Sequence, residues 1–306
     1  MTVSQERRSY KAARPRACGL ALGALAFAWG LSPAQARVEP AASIRSLGMS
    51  DSVQAHETGN GAIFHNPAGI SRTLAYSIES GYYTQAKNDV DSFHLSVADT
   101  KTNRNVGVGV AYTFLNQETP ERLKKEIHGG RLALSREALP ETMWVGAGLR
   151  YLNIKRDVLD DNFHEFTLSE SAFTMDLGMQ LQAAEGFMIG LAGHNIINVG
   201  SSEAPTRLGL GLAYTWEGLT VSADSVIDIT SVRGKKKMLY MGGAEYLLGY
   251  QLAIRTGVQR DDVDGLTRVS TGLGWLERTY AIEAGFYQST TQEDDRLFGI
   301  ALKIFM

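Results

Sequence analysis

The sequence holds a single cysteine, Cys18, in 306 residues. That excludes disulfide scaffolds, thiol catalysis and cysteine metal clusters. Proline is scarce at 7 residues, below half its usual ~5% share, which excludes collagen-like and Pro-rich disordered chains. Charge of neither sign dominates: the net is −3 with 21% charged residues, so no basic surplus points to nucleic acid. Beyond residue 36 no apolar run approaches the ~18 residues that a transmembrane helix needs. What the chain does have in excess is glycine, 32 residues.

The first 36 residues read as an address. Arg7, Arg8, Lys11, Arg14 and Arg16 make a positive start, an apolar stretch runs from Ala17 to Leu31, and Ala34-Gln35-Ala36 is a small-x-small cleavage site. This is the three-part secretory signal. An uncleaved anchor helix is the competing reading, but the apolar run is short for a span. Cleavage leaves 25 basic and 32 acidic residues and no cysteine: an exported, mildly acidic protein.

Period-two alternation governs the rest, the mark of strands with two unlike faces. Along 106–114 one face reads Val106, Val108, Val110, Tyr112, Phe114 and the other Gly107, Gly109, Ala111, Thr113. Along 207–216 Leu208, Leu210, Leu212, Tyr214 and Trp216 oppose Arg207, Gly209, Gly211, Ala213 and Thr215. About fourteen such segments are predicted, near 74–84, 90–99, 105–115, 127–135, 142–154, 170–182, 186–194, 206–216, 218–228, 237–248, 250–260, 265–275, 278–289 and 296–305. Prolines stay out of them or at a first edge, where no ladder N–H is lost.

Two patterns separate a membrane barrel from a water-soluble sandwich. The odd-numbered connections (116–126, 155–169, 195–205, 229–236, 261–264, 290–295) read as longer and more charged than the later even-numbered ones (183–185, Glu217, Gly249, 276–277). Long loops on one rim and tight turns on the other characterise outer-membrane barrels. The small-residue faces also carry charges, with Glu79, Arg131, Arg150, Asp176, Arg207, Asp224, Glu245, Arg255, Glu283 and Lys303 set among glycines. A sandwich keeps such a face in water, whereas a lipid-embedded barrel puts it in the lumen. The lumenal charges read more readily as a packing network than as a binding site, because charge inside a barrel needs partners or water. Tyr112, Tyr151, Tyr214, Trp216 and Trp275 fall near segment ends, at interfacial positions. The expectation is an all-β, transmembrane antiparallel β-barrel over 73–306.

Residues 43–70 do not alternate. They contain Leu47-Gly48-Met49 and, before the first strand, Asn66-Pro67-Ala68-Gly69. In these two motifs the chain resembles the long-chain fatty acid transporter (FadL) superfamily, especially its PorV-like branch; Gly243 to Tyr246 and Leu252 to Gly257 are weaker matches. The resemblance implies fourteen strands and an N-terminal segment, 37–72 here, folded into the lumen as a hatch. Pro67 fixes its own φ and keeps Asn66 out of the helical region, while Gly69 permits an unusual backbone angle. Residues 66–69 should then form a rigid corner, with Asn60, His56 and His65 able to reach lumenal groups such as Arg131, Arg150 or Glu245. The sequence departs from the family in a polar stretch between Met49 and Asn66, in its short length, and in ending on Phe305-Met306.

No G-x-S-x-G or H-E-x-x-H occurs, and His94 and His194 fall on the small-residue face, so no reaction, cofactor or metal is expected. Asp160-Asp161-Asn162, Asp261 to Asp264 and Glu293 to Asp295 could hold calcium through oxygen ligands but read more readily as solvated loops, as Lys235 to Lys237 do. The function expected from the resemblance is passage of small hydrophobic or amphipathic solutes through a hatch-plugged barrel in the outer membrane of a didermal bacterium. The alternative is a PorV-like role in docking secreted or surface proteins. Partners would be outer-membrane lipids, the barrel-assembly machinery and either a hydrophobic small molecule or such a protein, with no nucleic acid.

Overall fold

The computed structural model describes residues 43–306 except 87–88, 119–122, 160–164, 198–202, 233–234, 263–264 and 293. The signal segment, residues 37–42 of the expected hatch and the Asp160–Asn162 run therefore lie outside the described residues. Fourteen strands follow one another around a closed antiparallel barrel: β1 (Tyr76–Gln85), β2 (Val90–Asp99), β3 (Gly107–Glu118), β4 (Lys124–Leu139), β5 (Met143–Leu159), β6 (Glu165–Ala184), β7 (Phe187–His194), β8 (Arg207–Trp216), β9 (Leu219–Val232), β10 (Lys235–Leu248), β11 (Leu252–Asp261), β12 (Leu266–Leu276), β13 (Tyr280–Ser289) and β14 (Arg296–Phe305). The seam closes with β1 on β14, Ser77 opposite Phe305 and Gln85 opposite Leu297, so the ring of strands has no first or last member.

Alternation decides which way each side chain points. On β14 Phe298, Ile300, Leu302 and Ile304 are exposed, while Leu297 and Ala301 are buried. On β8 Leu208, Leu210 and Leu212 point out and Ala213 points in. This continuous outward belt of Leu, Ile, Val and Phe is not a surface that a water-soluble monomer presents; it matches hydrocarbon. Aromatics edge it on both sides. Tyr214, Trp216, Tyr246 and Trp275 mark its edge toward the chain ends, and Tyr82, Phe93, Tyr151 and Phe298 mark its opposite edge.

The connections differ from the sequence expectation. Residues 155–159 and 165–169 belong to β5 and β6, and β3, β4, β9 and β10 likewise take residues expected in loops. The one long connection on the rim opposite the chain ends is 195–206, between β7 and β8, and 100–106 on the other rim is longer than most of its counterparts. The strands win because ladder pairing continues past the apolar belt. Lys155 still faces Ser169 and Asp157 faces Thr167 in unbroken register, although outward side chains there are polar. Tyr112 and Tyr151, expected near segment ends, sit mid-strand for the same reason. On the opposite rim the turns are tight. Glu217 and Gly218 (φ +46° and +85°) join β8 to β9, both in the left-handed region that a two-residue hairpin turn requires.

Before β1 lie two short helices, α1 (Ile44–Gly48) and α2 (Gly59–His65), then a 3-10 helix over Pro67–Arg72. Ser43 caps α1, accepting from the Ser46 N–H.

Candidate functional site

The interior is organised by the segment 43–72, which runs along the inner wall. Ile44 meets Gly285 and Gly299, Gly48 meets Gly272, Met49 meets Gly243 and Gly257, Gln54 and Ala55 meet Gly190 and Gly211, Asn66 meets Gly178, Pro67 meets Gly146, and Ile63 and Ile70 meet Gly109. The wall thus presents glycine to the segment on strand after strand. The reason is space: a Cβ on Gly257 would lie 2.5 Å from the Met49 carbonyl carbon, and one on Gly272 3.0 Å from the Gly48 Cα. Hydroxyls fill the gaps between glycines, with Ser50 Oγ 2.8 Å from Ser270 Oγ and Ser222 Oγ donating to the Ser52 carbonyl at 2.6 Å. Ile44, Met49, Val53, Ala55, Ala62, Ala68 and Ile70 are completely buried, and a large side chain gains roughly 1.5–3 kcal/mol by such burial.

The Asn66-Pro67 corner is a hydrogen-bond hub. Asn66 is extended (φ −156°), with Pro67 opening the 3-10 helix. Its Oδ1 accepts from the Ala68 N–H at 3.2 Å, and its Nδ2 donates to the carbonyls of Gln54 (2.8 Å), Met179 (3.1 Å) and Leu191 (3.3 Å). Gly69 does not take a positive φ, contrary to the expectation. It is glycine because the Glu57 carbonyl oxygen occupies the space of its Cβ. Leu47 packs with Ile44, Tyr83, Leu297 and Ala301.

Charges tie the segment to the wall and the wall to itself. One chain of alternating sign runs Glu57, Arg45, Glu245, Arg255, Glu283, with separations of 3.3, 2.8, 2.6 and 2.7 Å. A second joins Lys303 to Glu79 at 2.6 Å and Glu79 to His94 at 3.2 Å. Arg131 meets Asp176 at 2.8 Å, whose other oxygen accepts from the Asn195 N–H at 2.8 Å. Arg150 donates to Asn195 Oδ1 at 3.1 Å. Asp224 accepts from the Gln54 N–H at 2.7 Å, and Arg207 pairs with Asp228 at 3.2 Å. These partners answer the cost of holding charge away from water.

The pairings expected for the segment's polar residues are not the ones formed. Asn60 accepts from Ser77 at 2.6 Å and donates to Ser96 at 3.0 Å. Glu245 is met by Arg45, which sequence reasoning did not single out. The His56 ring nitrogens have no hydrogen-bond partner among the described residues. Asp261 and Asp295, read as loop acids, turn inward to Arg268 at 3.6 and 2.9 Å. Asp261 alternates in phase with inward Ala253 and Arg255 on β11, and Asp295 in phase with inward Leu297 at the start of β14.

Two apolar zones flank the segment. Toward the rim opposite the chain ends, Val90, Leu115, Ile127, Leu152 and Ile154 line β2 to β5 and receive Ala204 from the long connection. Toward the other rim, Ala55, Ala68, Trp144, Met188 and Ala213 form a floor. There the Arg72 guanidinium lies 5.3 Å from the Trp144 ring centre and donates to Gln180 at 3.1 Å.

No family model and no curated protein matches this sequence. Solved structures do. A Pseudomonas aeruginosa FadL homologue superposes with a TM-score of 0.65 at 12% identity, over 89% of this chain and 99% of that one. The Ralstonia pickettii toluene transporter TbuX gives 0.64 at 12%, over 88% and 98%. The Pseudomonas putida toluene transporter TodX gives 0.62 at 14%, over 88% and 97%. The fold is that of the FadL-type barrels. At such identities the likeness rests on architecture: a FadL-type wall of fourteen strands, built here from glycine-rich inward faces.

Proposed function

We propose that this FadL-type barrel resides in the outer membrane and passes small hydrophobic solutes, with residues 43–72 as the hatch. The observation that carries the reading is the apolar cluster of Val90, Leu115, Ile127, Leu152 and Ile154, which packs with Ala204 of the long connection inside the barrel. A solute that parts this cluster meets hydrocarbon side chains and no charge. The proteins of like fold include toluene transporters and a monoaromatic hydrocarbon channel, which makes a monoaromatic hydrocarbon the first solute to try. Passage requires the hatch to yield, and its polar contacts with Glu245, Ser270 and Asp224 are the ones to exchange. The exported chain begins at Arg37 after signal removal, which mass spectrometry of membrane-purified protein checks.

Deleting 43–64 while keeping the corner tests the reading. The folded deletion should show larger conductance in planar bilayers and faster toluene entry into vesicles. A folded deletion with unaltered conductance and entry refutes passage through the lumen.

A further inference from the structure

The outward wall carries one feature that passage of solutes does not use. Across β11, β12 and β13 the lipid-facing belt is indented by a groove of about 610 Å³. Its floor is short side chains: Thr256 stands opposite Thr271, with Val269 and Phe286 beside them. The two threonine hydroxyls are turned away, bonding the carbonyls of Ser270 and Arg255 at 3.2 Å each. What they present outward is methyl groups, so the floor is apolar although its sequence is not.

The upper end of the groove changes character. Gln288 and Thr290 line it. Arg296, exposed, is cross-strand partner to Gln288, and its guanidinium is engaged by no described residue. On the other flank exposed Arg260 donates to Thr267 Oγ1 at 2.9 Å, and Thr267 is bonded through its carbonyl to Thr290. Two cations therefore flank the polar end of an apolar groove, at the rim opposite the chain ends, where lipid headgroups begin.

We infer that this groove is a binding site for an anionic, phosphate-bearing membrane lipid. One acyl chain lies on Thr256, Thr271, Val269 and Phe286, and the phosphate is held between Arg260 and Arg296. Charge complementarity selects the occupant. A zwitterionic lipid offers the same chain but sets its own cation against the arginines, and arginine's planar fork suits phosphate oxygens.

Native mass spectrometry of the full-length mature barrel, loaded from equal mixtures of phosphatidylglycerol and phosphatidylcholine, tests this. The wild type should retain phosphatidylglycerol with roughly thirtyfold preference, the scale expected of two arginines near a membrane surface. The double variant Arg260→Gln, Arg296→Gln should lose the preference. Thr271→Trp, which fills the groove, should lose retention of both lipids, and inorganic phosphate should not compete with bound lipid. All three positions are exposed on the outer wall, so the heat-dependent gel shift of the folded barrel should persist. Equal retention of the two lipids by the wild type, or undiminished preference in the double variant, overturns the proposal. Retention surviving Thr271→Trp while inorganic phosphate displaces it also overturns it, as that marks a site for free phosphate.

Discussion

Adding one methyl group at Gly257 tests whether the wall and the inner segment are in true contact. The Cβ of Gly257→Ala would stand 2.5 Å from the Met49 carbonyl carbon, 2.7 Å from its oxygen and 2.8 Å from the Ser50 nitrogen. Those separations are 0.6 to 0.9 Å short of the 3.4 Å at which ordinary contact begins. The wall cannot retreat, because Gly257 is in register with Gly243 on one side and Ser270 on the other. The segment is held by Ser50 on Ser270 and Arg45 on Glu245, each at 2.8 Å. Overpacking of this kind costs roughly 1–3 kcal/mol. Releasing the segment would forfeit the burial of Ile44, Leu47 and Met49, roughly 1.5–3 kcal/mol apiece, so the alanine variant keeps the segment docked under strain. Gly130→Ala is the control, since nothing lies within 4 Å of its Cβ; it should change stability by no more than about 0.5 kcal/mol. Urea unfolding in lipid vesicles, followed by tryptophan fluorescence, compares them. Equal midpoints for the two variants would refute close packing of Met49 on the wall.

Other perturbations separate the forces involved. Leu210→Arg should cost roughly 2–4 kcal/mol if Leu210 faces the middle of the hydrocarbon, and tolerance equal to that of Leu210→Ala would show that this face does not meet lipid. Glu245→Gln leaves Arg45 with Glu57 and Arg255 with Glu283 but breaks the chain of charges in the middle, for a loss of roughly 1.5–3 kcal/mol; an unchanged unfolding midpoint would show that water already screens the chain of charges. Asn66→Ala removes four hydrogen bonds of the corner at a cost of roughly 1–3 kcal/mol, and should raise amide exchange at 66–70 while the strands stay protected. Unchanged exchange there would deny the corner its rigidity.

The strands were legible because lipid outside and small residues inside imprint a period of two: β2 and β14 fall on the segments expected at 90–99 and 296–305. Legibility failed where that contrast ends. In β5 and β6 beyond Tyr151 and Phe173, outward positions such as Lys155 and Ser169 are polar, yet the backbone ladder, which no side-chain pattern reports, continues. Inward glycines were visible as a small face, but their cause was not. The atoms they accommodate belong to a segment without periodicity, and its contacts join residues as far apart as Arg45 and Glu245. Separation hid Arg45 as the partner of Glu245, 200 residues on, and Arg268 as the partner of Asp295, 27 residues on, since a carboxylate carries no mark of a distant cation.

The path of the inner segment has a consequence for how the molecule assembles. Residues 43–72 come first in the described chain, yet they touch β3 near one end of the sheet and β14 at the other. Their docking sites do not exist together until the whole circumference is in place, and contacts of such sequence separation are slow to form because loop closure precedes any gain. Folding therefore has a late step in which the earliest residues either seat as the seam between β1 and β14 shuts or are left outside a closed ring. A ring shut too early, its glycines facing an empty lumen, is the characteristic misfolded product to look for.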